Sequence, residues 1–392
     1  MMGPGVAGNG GNGGNGRNGG MEERGLRIRG VVYASLVGDA LGLGTHYEYS
    51  TPKILELYGN PFAADVMSLI GTYFEPGQRS GGKTHGVGWG ARRYHDKPAG
   101  DQTDYGDYLL VVGDHLARAG KENAFDGVAL LKTWQRWMKR WKAWMCTQTK
   151  ITLQQVERMG GAEGAGARIL SLGGNSNAMA LRSHFAFAYF EEEEELVAFT
   201  RMVAFTHQNA EAHMGSEYVV RVAHRIVHRG MGLREAVEDA ARDAPEFIRS
   251  LVASAVAKVA EVEDGATSLA SQEPGVVDDI AITSMARLWE VGKSEPIKVG
   301  KASPTEGVLP AALYLALRYE GRWFDAVKAN AVVGGDTGSR AVVLGMLMGG
   351  CGGGVEVGAE LLDGLVVRDD VEKLLSQAPL FQQRMMNDQD EL

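Results

Sequence analysis

The stretch NAVVGGDTGSRAVVLGMLMGG, residues 330–350, decides how this chain is read. Gly334 and Gly335 lead into Asp336, Thr337, Gly338, Ser339 and Arg340, and a long apolar run follows. A helix that is apolar all round belongs in the middle of a protein. Yet its start carries an acid and two hydroxyls. Such side chains accept backbone N–H bonds at a helix start. They are also the oxygen ligands that hard cations prefer. The segment therefore reads as a buried helix with a polar mouth, and Asp336 is expected near the surface.

Working outward, helical spacing recurs over residues 26–43, 104–118, 125–145, 185–205, 211–229, 232–242, 245–262, 307–320, 322–333, 336–347 and 356–364. No stretch shows the long apolar/polar alternation of a strand. The expectation is an all-α protein, a compact single-domain multi-helix bundle around one core. Residues 264–280, rich in Gly, Ser, Pro and Asp, read as a loop. Residues 1–20 are Gly/Asn-rich without an apolar h-region, and read as a flexible tail. The domain is placed at 21–380, with a flexible C-terminus over 381–392.

Of the 392 residues, 44% are hydrophobic and 23% charged, as in a soluble globular protein. No apolar run reaches a membrane-spanning length of roughly 20 residues. The net charge of −9 argues against a nucleic-acid partner. Cys146 and Cys351 form no CxxC pattern, which excludes a cysteine-based zinc site. It fits the cytoplasm or another reducing intracellular compartment rather than secretion. Nothing in the sequence indicates an oligomeric state.

In KTWQRWMKRWKAWM, Trp134, Trp137, Trp141 and Trp144 fall within roughly an 80° arc of a helix. Lys132, Arg136, Lys139 and Arg140 lie opposite. A membrane-surface or calmodulin-binding helix has this pattern. Aromatic stripes more often pack, so the expectation is a core helix with a solvated basic face.

Three stretches carry candidate chemistry. SLVGDALGLGTHYEY (35–49) places Asp39 between small residues that allow close approach of another helix or a ligand. AGDQTDYGDYLLVVGDHL (99–116) starts a helix at Thr103 and Asp104, with Asp107 three residues on and on the same face. The third is the opening stretch. The second and third share Asp-x-Gly-(Asp/Ser) before an apolar helix. If the two starts face each other, Asp104 and Asp336 meet at one oxygen-lined mouth suited to Mg²⁺ or Mn²⁺. The same residues also serve as ordinary N-caps.

In this order and spacing the stretches resemble the ADP-ribosylglycohydrolase family, which also contains jellyfish crystallins. Its Gly-Asp-Ala-Leu-Gly is similar to Gly38–Gly42, its Thr-Asp-Asp-Thr to Thr103–Gly106, and its Gly-Gly-Asp-Thr-Asp-Thr to Gly334–Ser339. GGNSNAMALR (173–182) resembles its Asn/Ser/Gly loop, and FTHQNAEAH (205–213) its Thr-His segment. The resemblance implies an all-α fold. It also implies two divalent ions, usually Mg²⁺, and cleavage of a bond to the C1″ of ADP-ribose.

Two of the family's acids are replaced, by Tyr105 and Gly338, and its usual first-motif Glu by His46, with Glu48 two residues further on. What the resemblance implies is therefore a remodelled site. Thr103, Asp104, Asp336 and Ser339 are expected to share one Mg²⁺ or Mn²⁺. Asp104 and His46 are the catalytic candidates, and Asn175, Ser176, Asn177 and Asp107 the substrate-binding ones. His207 reads more simply as a packed helix-end histidine. The expected activity is hydrolysis of an ADP-ribosyl or related glycosidic bond, on a small-molecule or ADP-ribosylated substrate. The alternative is a catalytically inactive, crystallin-like or ligand-binding member of the same fold.

Overall fold

In a computed structural model of the chain, the segment quoted first is a helix over Thr337–Gly349, and every residue in it is buried. The structure describes residues 14–63, 97–142, 144–166, 173–264, 273–285, 287–288, 297–298, 300–351 and 357–382. In chain order the helices are α1 (Gly14–Gly42), α2 (Thr51–Tyr58), α3 (Asp104–Ala119), α4 (Gly127–Met138), α5 (Thr147–Arg158) and α6 (Ala162–Ala165). Then follow α7 (Asn177–Ala180), α8 (Glu193–Val203), α9 (Ala210–Arg229), α10 (Leu233–Arg242), α11 (Glu246–Glu263) and α12 (Val276–Met285). The last are α13 (Thr305–Arg318), α14 (Trp323–Val333), α15 (Thr337–Gly349), α16 (Ala359–Asp363) and α17 (Arg368–Ser376). Among the described residues the only strand pairing is a two-residue antiparallel ladder, Arg287–Leu288 with Ile297–Lys298. The all-α expectation holds.

α1 and α15 form the centre, with α13 and α14 beside them. Their backbones touch at glycines: an added Cβ on Gly345 would lie 2.2 Å from the Ser35 backbone. Apolar residues on all sides of α13 and α15 remove both from water, and amphipathic helices such as α9 and α10 pack around them.

Several boundaries differ from expectation. The helix expected over 125–145 stops at Met138, where Arg140 N–H bonds Trp137 O and Trp141 N–H bonds Met138 O in tight turns. Trp134 is therefore fully buried, while Trp137, Trp141 and Trp144 are only half-buried and the last two are off the helix. Lys132, Arg136 and Lys139 are exposed. The segment expected as one helix over 185–205 is a 3₁₀ turn (His184–Ala188) and then α8. The expected loop over 264–280 gives way to α12 from Val276. α1 begins at Gly14, inside the stretch expected as a tail. Among the described residues no helix is long and apolar enough to cross a membrane.

Candidate functional site

Thr103 caps α3 by accepting the Tyr105 N–H at its Oγ1 (3.2 Å). The same hydroxyl donates to Asp39 Oδ1 at 2.6 Å. Asp39 Oδ2 accepts the N–H groups of Thr103 (2.8 Å) and Gly106 (3.2 Å). The carboxylate of α1 thus holds the first turn of α3 in place. Burial pushes the Asp39 carboxyl up to about 7, against the pull of the Thr103 donors. Gly106 fits tightly here, since an added Cβ would lie 2.2 Å from Gln102 Oε1 and 2.6 Å from Asp39 Oδ2.

The start of α15 is set by Gly334 and Gly335, both at positive φ (67° and 66°). They run against residues 47–48: Gly335 N–H bonds Glu48 O and Tyr47 N–H bonds Gly335 O, each at 2.6 Å. This contact brings His46 onto the helix start. Gly338 N–H donates to His46 Nδ1 (3.3 Å), and the same nitrogen lies 3.0 Å from Thr337 Oγ1. Asp336 caps α15 by accepting Ser339 N–H at Oδ1 (3.2 Å), and Ser339 Oγ donates to Asp336 O (2.8 Å).

The two starts meet. Tyr105 Oη donates to Asp336 Oδ2 at 2.8 Å, across 231 positions of sequence. Asp104, Tyr105 and Asp336 are all buried, so Asp336 is not the near-surface residue expected. The capping role and the juxtaposition coexist: Thr103 and Asp336 cap their helices, and the helices face each other.

Asp107 sits one turn along α3. Its Oδ2 receives Lys97 Nζ at 2.8 Å, and Lys97 also reaches Asp101 Oδ1 at 3.3 Å. Burial pushes Asp107 up to about 6, against the Lys97 charge. Burial pulls the Lys97 ammonium down, but Asp107 and Asp101 outweigh it and the net shift is upward. Sequence reasoning missed Lys97, which lies beside Pro98 outside any periodic pattern. It also counted Tyr105 only as a lost acid.

Asn175, Ser176 and Asn177 lead into α7, which touches α3 and α15. Thr305 ties them to α13: its Oγ1 donates to Asn175 O (3.0 Å) and accepts Asn177 N–H (3.1 Å). Ser176 caps the turn through Met179 N–H. Asn177 is fully buried, and neither polar atom of its side-chain amide has a hydrogen-bond partner among the described residues. His207 is buried, with Nδ1 2.9 Å from Thr206 Oγ1.

A single Mg²⁺ or Mn²⁺ on Thr103, Asp104, Asp336 and Ser339 would have to share groups that are already bonded within the protein. Both hydroxyl protons are committed to protein oxygens, and each Asp336 oxygen already accepts a protein donor. Gly338 leaves no space for a side chain in this arrangement, since an added Cβ would lie 2.6 Å from Thr103 Oγ1 and 2.7 Å from Asp39 Oδ1. Among the described residues no group of three or more His, Cys, Asp or Glu side chains is placed to hold a metal ion.

A family model described as ADP-ribosylglycohydrolase matches residues 21–390. A solved structure titled "ADP-ribosylglycohydrolase-related protein complex" is similar in fold, with a TM-score of 0.53 at 18% identity, covering 92% of this chain and 99% of that one. No curated protein gives a significant sequence match.

Proposed function

This chain belongs to the ADP-ribosylglycohydrolase family, and from that premise we propose that it hydrolyses an ADP-ribosyl or related glycosidic bond where α3 and α15 begin. One observation carries the reading: the Tyr105 hydroxyl bonds the Asp336 carboxylate, so two acid-bearing helix starts share one place. Glycosidic hydrolysis passes through an oxocarbenium-like centre, which nearby carboxylates stabilise electrostatically. Asp104 takes the role of general base toward water, and Asp107, beside Lys97, faces the sugar. The unpartnered amide of Asn177 supports a ligand contact there, with Asn175 and Ser176 shaping the loop. His46 holds the start of α15 rather than exchanging protons. No step of this reading runs through a metal ion.

The test is turnover of an ADP-ribose glycoside with a chromogenic leaving group, for wild type and Asp104→Asn. Turnover in the wild type that drops at least about 100-fold in the variant is expected, the scale of a lost general base. No turnover in the wild type, with or without Mg²⁺ or Mn²⁺, removes the reading.

A second reading is a non-catalytic holder of an ADP-ribose-type ligand. The internal commitments of Asp39 and Asp336 favour it, since both carboxylates are already bonded to protein donors. Calorimetric binding of ADP-ribose without turnover of the glycoside is its signature.

A further inference from the structure

We propose that Tyr105 is an internal bridge standing where a divalent ion would join the two halves of the site, so that α3 and α15 assemble without metal. How the two helix starts are held together does not depend on the substrate.

The geometry is specific. Tyr105 is the second residue of α3, and its phenol crosses to the N-cap of α15. Both ends of the contact are buried. A carboxylate at position 105 facing Asp336 would place two like charges in a dry site unless a cation joined them or one of them took up a proton. A neutral phenol needs neither, because it supplies the donor itself. Burial and the Asp336 charge hold the phenol well above its ordinary range, so it keeps its proton.

The surrounding carboxylates are matched in the same way by groups of this chain. Asp39 takes three donors, from the Thr103 hydroxyl, Thr103 N–H and Gly106 N–H. Asp107 takes the Lys97 ammonium. Asp336 lies within the field of the Arg340 guanidinium, and Asp104 within that of Arg182. Arg340 is itself fixed by Asn330 Oδ1 (2.8 Å), and Arg182 by Val203 O (3.1 Å). A divalent ion relieves uncompensated negative charge. Here that charge already has counterweights, and Gly338 leaves no space for an acidic side chain in this arrangement. Tyr105 is therefore a positioning residue.

The experiment uses the full chain, stripped of metal, with melting temperature and free-Mn²⁺ electron paramagnetic resonance as readouts. Wild type should retain no Mn²⁺, and its melting temperature should move by less than about 1 °C in millimolar Mn²⁺ or Mg²⁺. Tyr105→Phe keeps the ring and removes the bridge. It should melt several degrees lower, and Mn²⁺ should not restore it. Tyr105→Asp should gain a Mn²⁺-dependent rise in melting temperature, which a merely structural tyrosine would not produce. Mn²⁺ bound tightly near one ion per wild-type chain overturns the proposal, and so does an unchanged melting temperature in Tyr105→Phe. If Tyr105→Asp does not fold even with Mn²⁺, the wild-type and Tyr105→Phe results decide alone. These readouts need no substrate, so absence of turnover leaves this test intact.

Discussion

Gly30 of α1 and Gly349 of α15 face each other with no room for a side chain between them. A Cβ added to Gly30 would lie 2.0 Å from the Gly349 carbonyl oxygen, and one added to Gly349 would lie 2.2 Å from the Gly30 oxygen. The obstacle on each side is backbone, which cannot rotate away. This crossing sets the spacing of the two central helices, and with it the spacing of Asp39 and Asp336 at their far ends.

Gly30→Ala should therefore destabilise the chain by about 3 kcal/mol or more, the upper range for overpacking a core. Gly25→Ala is the control on the same helix, because its Cβ would meet only the Phe381 ring at 3.5 Å. There the better helix propensity of alanine should add up to about 1 kcal/mol. Urea unfolding of the two variants checks this. Equal midpoints would show that α1 and α15 do not cross as described.

Asp336→Ala should unfold more easily than a surface substitution would. Removing the carboxylate strands the Tyr105 hydroxyl and the Ser339 N–H inside the protein. Each unsatisfied buried group costs roughly 1–3 kcal/mol. Asp336→Asn keeps one acceptor and should lose less. Calorimetric melting of both variants, beside the glycoside assay, separates loss of structure from loss of chemistry. A full-stability Asp336→Ala chain would contradict the bonded, buried carboxylate.

Trp134→Ala should cost about 3–5 kcal/mol, as for large aromatics in a core. Its ring is fully buried, stands edge-on to Phe205 and donates its N–H to Tyr108. Trp144→Ala should cost far less, since that ring is half-buried and off the helix. Comparable losses at both positions would favour the single aromatic face expected from the spacing.

What could be read in the sequence follows from the range of the forces involved. Helical periodicity is local, so α3, α9, α10, α11, α13, α14 and α15 lie within a few residues of their expected spans. The pairing of Asp-x-Gly starts was legible because a motif repeats, and the structure joins them through Tyr105 and Asp336. The end of α4 was not, because Lys139 and Arg140 continue a helical pattern while the chain turns. Lys97 was not, because its role depends on Asp107 of the following helix and leaves no periodic trace. The depth of Asp336 was misread for a related reason. A capping acid looks exposed until the second helix start that covers it is known.

Asp39 has its carboxyl raised by burial to about 7, and Asp107 to about 6. Between their unfolded values near 4 and these folded values, the native chain binds more protons than the unfolded one. Their contribution to stability is then complete at low pH and lost as pH rises through about 6 to 7. Buried histidines act in the opposite sense. Burial lowers His184 to about 4 and His228 to about 3, so their contribution improves as pH rises toward the unfolded histidine value near 6.5. The wild-type profile is the sum of both and need not slope either way. The informative quantity is the difference between wild type and Asp39→Asn. The variant can still accept at least one Thr103 or Gly106 N–H, and its Nδ2 can donate to Thr103 Oγ1. Urea midpoints at pH 4.5, 5.5, 6.5 and 7.5, chosen at about one-unit steps across this window, should show wild type losing ground to Asp39→Asn steadily as pH rises. A constant difference across the series would mean that Asp39 does not titrate in the window, and that the Thr103 and Gly106 donors hold it ionised throughout.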